Sequence, residues 1–136
     1  MGMSQQATGT FTIESWDDTP YDDQPGAKLS RTHVTKTFRG DVQGTSTAEL
    51  LMAGAQEGSA AYVGMERVTA SVHGRQGTFV LAHFATMTRG DGVLVLSVVP
   101  DSGTADLLGL KGEANIERTP DGGHNFTLDY EFELSS

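Results

Sequence analysis

The chain has 136 residues, 37% of them hydrophobic and 20% charged, and its 18 acidic and 9 basic residues give a formal net charge of −9. This length fits a single domain with a real core. The negative charge argues against nucleic acid or an anionic membrane as partner, because both would repel the protein. The absence of cysteine excludes disulfides, thiolate catalysis and cysteine-ligated zinc. The start of the chain shows no signal-peptide pattern, and no apolar run approaches the ~18 residues of a membrane span, so we expect a cytoplasmic protein.

Residues 9–18 alternate in polarity and predict the first β-strand. Phe11 and Ile13 fall on one face of this strand, whereas Trp16 has the opposite parity. Two structures account for the change: a β-bulge near Ser15, or packing of Trp16 on the outside of the sheet. A large aromatic side chain that changes face at a strand end is common beside binding sites, and simple end-packing is the alternative.

Residues 17–26 contain two prolines and four aspartates, and they predict a solvated loop. A calcium site is the alternative, but the D-x-D-x-D-G spacing that organises such a loop is absent. Residues 27–39 are rich in threonine and valine and predict a second strand. Neither face of that strand is cleanly apolar, as expected of an edge strand or of a strand lining a polar cavity. Residues 42–53 predict a third strand, whose small residues leave room for a bulky neighbour or a ligand.

Residues 58–90 predict a long β-hairpin with its turn at residues 73–77. Apolar residues recur with a period of two in both strands. Each of these more apolar faces carries one ionisable side chain, Glu66 in the first strand and His83 in the second. A turn centred on Arg75 would place Glu66 opposite about position 84, and therefore near His83.

The rest of the chain predicts three more strands. Residues 93–99 are apolar on both faces, which predicts a strand covered by the core on one side and by another element or a subunit on the other. A turn of helix is expected at residues 104–108, a strand at residues 112–119 and the last strand at residues 124–134. The last strand alternates most cleanly, with the inward residues Phe126, Leu128, Tyr130, Phe132 and Leu134.

About eight strands, glycine-bearing turns and almost no helix predict an all-β protein, either a sandwich or a barrel. We favour a single antiparallel eight-stranded barrel over residues 9–136, because closure removes exposed strand edges. Residues 1–8 are polar and predict a flexible N-terminal tail. The lumen of such a barrel is filled by side chains or holds one small ligand. Small inward residues favour the open lumen, and aromatic inward residues favour the filled one.

Five motifs spread over roughly residues 9–134 carry a family resemblance. They are Gly40-Asp41-x-x-Gly44 followed by Glu49; Ala60-Ala61-Tyr62-Val63-Gly64-Met65-Glu66-Arg67-Val68; His73-Gly74-Arg75 with Gly77-x-Phe79-x-Leu81-x-His83; Pro100-Asp101-Ser102-Gly103-Thr104 with Leu108-x-x-Lys111-Gly112; and His124-x-x-x-Leu128-x-Tyr130. With them the chain resembles an uncharacterised family of small bacterial proteins, similar in fold to the allene oxide cyclase barrel. The resemblance implies a short eight-stranded antiparallel barrel and a homodimer. It implies no settled activity, because the fold relatives include plant cyclases of an oxylipin epoxide and bacterial cyclases of polyketide-type substrates, and none of their catalytic residues matches a position here.

Glu66 and His83 are the candidate catalytic residues. A carboxylate beside an imidazole in an apolar lumen stabilises the imidazolium, and such a pair could act as general acid or base. The first alternative is a buried structural pair that holds the strand register. The second is a pair of side chains that point to solvent.

Four other side chains are candidate ligand-binding residues, namely Trp16, Tyr62, Arg67 and Tyr130. Trp16 would form a pocket wall, the two tyrosines would offer hydroxyl groups to the lumen, and Arg67 would bind a carboxylate. Each has a structural alternative, since a buried tyrosine usually finds a backbone partner and an arginine on a strand is usually solvated. The four histidines lack metal-ligand spacing, so we expect neither a metal site nor a cofactor.

Three functions fit this sequence. The favoured one is a protein that binds a small hydrophobic or amphipathic organic molecule in its lumen. The second is a cofactor-independent cyclase or isomerase in which Glu66 or His83 moves a proton. The third is a structural or interaction module with a filled barrel.

Overall fold

Eight antiparallel β-strands close into a barrel, in which each strand pairs with its neighbours in sequence and the last pairs with the first. The computed structural model describes residues 4–133. The strands are β1 (Gln5–Gln24), β2 (Ala27–Gly40), β3 (Val42–Gly54), β4 (Ala60–Val72), β5 (Arg75–Thr88), β6 (Asp91–Val98), β7 (Leu110–Arg118) and β8 (His124–Phe132). One turn of 3-10 helix, Ala105–Leu107, connects β6 to β7. The predicted all-β fold with an eight-stranded antiparallel barrel is confirmed. No helix within residues 4–133 has the length and apolar character to cross a membrane.

The first strand, β1, is longer at both ends than the sequence predicts. It starts at Gln5 and pairs there with β8, so the flexible tail predicted for residues 1–8 is wrong from Gln5 onward; residues 1–3 lie outside the described part of the chain. Its other end pairs with β2 as far as Gln24, where the sequence predicts a solvated loop over residues 17–26. Strand pairing satisfies backbone donors and acceptors, and here it outweighs the low strand propensity of aspartate and proline.

A β-bulge in β1 brings Trp16 to the inside of the barrel. The register with β2 shifts between Ile13 and Ser15, so the alternation of side chains changes face at this point. Trp16 then pairs with Val34, whose side chain is buried inside the barrel. Of the two alternatives predicted for Trp16, the bulge is confirmed.

The β4–β5 hairpin is tighter than predicted. Its loop has only two residues, at positions 73–74, and both have positive φ angles, 48° and 83°, as tight hairpin turns require. Glu66 therefore pairs with Leu81, and His83 pairs with Gly64. The predicted register, with Glu66 opposite position 84, is wrong by three residues. Both side chains nevertheless lie on the inner face. Glu66 shares its face with its partner Leu81, and His83 is two residues from Leu81 in the same strand.

The interior of the barrel has a filled half and an open half. Large apolar side chains pack the half that adjoins the β4–β5 turn and the 3-10 helix. Those that are at most 2% exposed include Phe38, Phe79, Leu81, Leu107, Phe126, Leu128 and Tyr130. The inward orientation predicted for Phe126, Leu128 and Tyr130 is confirmed, whereas Leu134 lies outside the described residues. The other half contains a cavity.

Candidate functional site

The open half of the barrel holds a cavity of about 730 Å³, a volume typical of pockets that bind small molecules. All eight strands contribute to its walls, which are mostly apolar. Among the apolar lining residues are Phe11, Ile13, Trp16, Leu50, Met52 and Leu94. The polar lining residues are Lys36, Tyr62, His83, Thr86, Asn115, Arg118 and His124. Among the described residues, no three histidine or carboxylate side chains are grouped as metal ligands.

Small residues at inward positions keep this half of the barrel open. Ala48 of β3 and Ala85 of β5 present only methyl groups to the cavity. Gly64 of β4 has a different role and does not line this cavity: an added Cβ would lie 2.4 Å from Leu50 Cδ2 and 2.6 Å from the carbonyl oxygen of Glu49, so the glycine permits close packing of β4 against β3. The two opposing expectations for the lumen therefore each hold for one half of the barrel.

Four polar side chains meet where the cavity borders the filled half. The carboxylate of Glu66 accepts hydrogen bonds from His83 Nε2 at 2.7 Å and from Ser46 Oγ at 2.5 Å. Lys36 Nζ lies 3.3 Å from the same carboxylate. The side chains of Glu66, His83 and Lys36 are 1%, 2% and 8% exposed, so the charges of Glu66 and Lys36 depend on their partners in place of water. The proximity predicted for Glu66 and His83 is confirmed, and their catalytic role stays a prediction.

Glu66 stays ionised despite its burial. Desolvation alone would raise its pKa, but the hydrogen bond from His83, the charge of Lys36 and the hydrogen bond from Ser46 together outweigh desolvation. They lower the pKa of Glu66 from 4.5 to about 2. The carboxylate is therefore a permanent negative charge inside the barrel at neutral pH.

Tyr62 connects this buried cluster to the cavity. Its hydroxyl lies 3.1 Å from His83 Nδ1, while His83 Nε2 contacts Glu66. With a neutral imidazole, Nε2 donates a hydrogen bond to the carboxylate and Nδ1 accepts one from the Tyr62 hydroxyl. Desolvation, together with the negative charge of Glu66, raises the pKa of Tyr62 to about 12, so the phenol keeps its proton at neutral pH. The three side chains form one hydrogen-bonded chain from the carboxylate to the cavity surface.

Sequence reasoning missed Lys36 and Ser46 as members of the site. Lys36 has the same parity in β2 as Val34 and Phe38, and that parity is the signal that identifies an inward side chain. Its ammonium group also lies 4.5 Å from the centroid of the Phe11 ring, a cation–π contact that stabilises a buried charge. The pairing of Lys36 with a carboxylate thirty residues away leaves no local pattern in the sequence.

Two of the four predicted ligand-binding residues line the cavity and two do not. Trp16, which is 49% exposed, and Tyr62 are lining residues. Arg67 is exposed on the outer face of β4, because the inward parity of this strand belongs to the even-numbered positions, so the predicted carboxylate contact of Arg67 would lie outside this cavity. Tyr130 is buried in the filled half, where its hydroxyl is hydrogen-bonded to His73 Nδ1. A second partner of the hydroxyl is Gln5 Oε1, so Tyr130 bonds to side chains of the protein and does not line this cavity.

The fold and the cavity define this chain as a small closed antiparallel β-barrel with one half open to a cavity of ligand size. It belongs to the DUF3224 family, described as proteins of unknown function, whose family model matches residues 7–130. A crystal structure of a DUF3224 protein of unknown function from Shewanella oneidensis MR-1 is similar to it, with 37% sequence identity and a TM-score of 0.84. That match covers 97% of this chain and 100% of the other. No curated protein matches the chain. Membership in an uncharacterised family is thus confirmed, while the likeness to the allene oxide cyclase barrel is compatible with the fold and stays a prediction.

Proposed function

We propose that the protein binds a small hydrophobic or amphipathic organic molecule in the open half of its barrel. The observation that carries this proposal is the cavity of about 730 Å³, whose walls are mostly apolar. Burial of apolar surface stabilises a complex by roughly 25 cal/mol per Å², so such walls favour a molecule with a large apolar part. The few polar groups at the cavity surface, the Tyr62 hydroxyl among them, would fix its orientation.

Binding fits this site better than proton transfer does. A cyclase or isomerase without a cofactor needs Glu66 or His83 free to take or give a proton. The Glu66 carboxylate already accepts from three side chains, and a pKa of about 2 makes it a weak base. Both nitrogens of His83 are engaged, one by Glu66 and the other by Tyr62. We therefore assign the pair to holding the cavity wall in shape and orienting the Tyr62 hydroxyl.

Titration with N-phenyl-1-naphthylamine, a neutral dye that becomes fluorescent in apolar surroundings, tests the proposed function. We expect saturable binding of one dye per chain with a dissociation constant of about 1 to 10 μM. Ala85→Phe adds an aromatic ring inside the open half, because Ala85 lines the cavity. It is expected to weaken dye binding by about tenfold or more through loss of volume.

The matched control is Ala82→Phe, which adds the same ring to the outer face of the same strand. It is expected to leave the affinity for the dye unchanged. Thermal unfolding of both variants establishes that they fold. Full dye binding by a folded Ala85→Phe variant would mean that the dye binds outside the lumen, and the proposal would fail.

A further inference from the structure

The charged side chains that line the cavity are basic, although the chain as a whole is acidic. The sequence has twice as many acidic as basic residues, 18 against 9. The charged side chains that line the cavity are nevertheless Lys36 and Arg118, and no aspartate or glutamate is among the lining residues of the described chain. From this contrast we infer that the ligand carries an anionic group, such as a carboxylate, beside its apolar body. The inference rests on the proposed function and concerns the same cavity.

Three nitrogen-bearing side chains line the cavity near Phe11: two contact its ring, and the third is on the next strand. We call Lys36, His124 and Arg118 the basic wall. Lys36 Nζ lies 4.5 Å from the centroid of the Phe11 ring, and the His124 ring stacks on the same ring with centroids 4.7 Å apart. Arg118 is directly opposite His124 in the pairing of β7 with β8. An anionic head group beside the Arg118–His124 pair would meet the guanidinium and imidazole groups, while its apolar body contacts the aliphatic walls.

The basic wall keeps a net positive charge. Glu66 compensates Lys36 at 3.3 Å, but no carboxylate of residues 4–133 lies within ion-pair distance of Arg118. Burial, followed by the charges of Arg118 and Lys36, lowers the pKa of His124, so its neutral ring offers a hydrogen bond at pH 7. A guanidinium group binds a carboxylate through two parallel N–H donors, an interaction that a neutral or cationic ligand cannot form.

Displacement of the bound dye by three ten-carbon ligands at pH 7 tests this inference. Decanoate is expected to displace the dye at a concentration about tenfold or more below that of decanol, with decylamine weaker than both. Arg118→Gln is expected to reduce the preference for decanoate over decanol by about tenfold, because the charge and the paired donors are lost. Arg67→Gln removes the same charge from the outer face of β4 and is expected to leave the preference unchanged.

The outcomes separate the inference from the proposed function. Equal displacement by decanoate and decanol would overturn the anionic ligand while leaving lumen binding intact. The same holds for a decanoate preference that persists in Arg118→Gln, because the basic wall would then not be its cause. If neither the dye nor any ten-carbon ligand binds, the proposed function fails and the inference fails with it.

A second, independent observation concerns the outer face of β3 to β6. Leu51, Val63, Phe84 and Val95 lie opposite one another in successive strand pairs, and each is 45–52% exposed. Met65, beside them, is 59% exposed. We call these five residues the apolar row. The sequence predicts that the strand containing Val95 is covered on its outer side by another element or a subunit, and in the single chain this side is exposed.

We propose that the apolar row packs against the apolar row of a second copy of the chain. Five large apolar side chains, each about half exposed in one patch, form the kind of surface that marks an interaction site. Four strands about 4.8 Å apart and about six residues long give a face of roughly 400 Å² in plan. A homodimer through this face would bury roughly 800 Å² in total, at the low end of protein interfaces, so we expect a weak homodimer that forms at high protein concentration. The row itself contains no charged residue. Glu49, which pairs with Met65 at its edge, contacts Arg31 and His33, so two copies of net charge −9 would meet there without uncompensated contact between like charges.

Sedimentation velocity tests the homodimer. The wild-type protein is expected to sediment as a species with twice the 14.4 kDa mass of one chain. Phe84→Glu is expected to raise the dissociation constant of the dimer by about 100-fold or more. Thr69→Glu, which adds the same charge on the outer face of β4 outside the row, is expected to remain dimeric. A wild-type monomer at about 100 μM would overturn the proposal, as would a Phe84→Glu dimer of unchanged affinity. Equal dissociation of both variants would also overturn it, because net charge and not the row would then control association.

Discussion

Glu66→Gln is expected to lower the free energy of unfolding by about 3 to 5 kcal/mol. The neutral amide no longer compensates the ammonium group of Lys36, which is 8% exposed and lies 3.3 Å from the carboxylate. The amide also turns a donor toward at least one of the groups that donate to Glu66, His83 and Ser46 among them. A buried charge left without its partner is among the few causes of destabilisation this large. Urea unfolding at pH 7, followed by circular dichroism, measures the change.

Two further variants show whether the loss comes from the buried charge. Glu49→Gln makes the same chemical change in an exposed ion pair on the outer surface, where Glu49 contacts Arg31 and His33. It is expected to leave stability almost unchanged, because exposed pairs contribute little. The double variant Glu66→Gln with Lys36→Met removes both charges and is expected to recover most of the loss. If Glu66→Gln proves as mild as Glu49→Gln, or if the double variant is as unstable as the single one, the buried ion pair is not what stabilises this region.

The parity of the apolar residues carries most of what the sequence could predict. In β4 and β5 the alternation alone places Glu66 and His83 on the inner face, and in β8 it places Phe126 and Leu128 there. The number of strands follows from the spacing of glycine-bearing turns. These features depend on residues two positions apart, which is the distance over which a strand repeats.

The features that the sequence could not predict depend on contacts between distant segments. The register of the β4–β5 hairpin depends on the turn, and a turn of two residues in place of five moves the partner of Glu66 from position 84 to Leu81. The length of β1 depends on its pairing with β8 at one end and β2 at the other, so its own composition is a poor guide. Inside the barrel, Lys36 of β2 reaches over β3 to Glu66 of β4. That Lys36 points inward is recognisable only once Val34 is known to be buried.

The position of the ionic cluster explains how one small barrel combines a stable core with an open cavity. The filled half buries large apolar side chains and supplies the hydrophobic stabilisation. The open half lacks such packing, so its walls need another source of rigidity. Glu66 provides it at the boundary, where Lys36 of β2, Ser46 of β3 and His83 of β5 all contact one carboxylate of β4. Four adjacent strands are thereby tied together immediately below the cavity, and Tyr62 is held at its surface.

Acid is expected to remove the stabilisation that Glu66 contributes. Its pKa is about 2 in the folded protein and about 4.5 when unfolded, so between these values the unfolded state binds more protons. Stability is therefore fully present above about pH 5 and is lost as the pH falls through the folded pKa. A difference of about 2.5 pKa units corresponds to about 3 kcal/mol. Urea unfolding of the wild type from pH 7 downward should show this loss.

The difference in unfolding free energy between the wild type and Glu66→Gln isolates this contribution. The exposed carboxylates with lowered pKa values, Asp18, Asp41, Glu49 and Asp121, are present in both proteins, and their contributions cancel. The difference is expected to shrink steadily as the pH falls from about 5 toward 2, because protonated Glu66 resembles glutamine in charge. A difference that stays constant over this range would mean that Glu66 stabilises the barrel by its shape and hydrogen bonds alone, with no contribution from its charge.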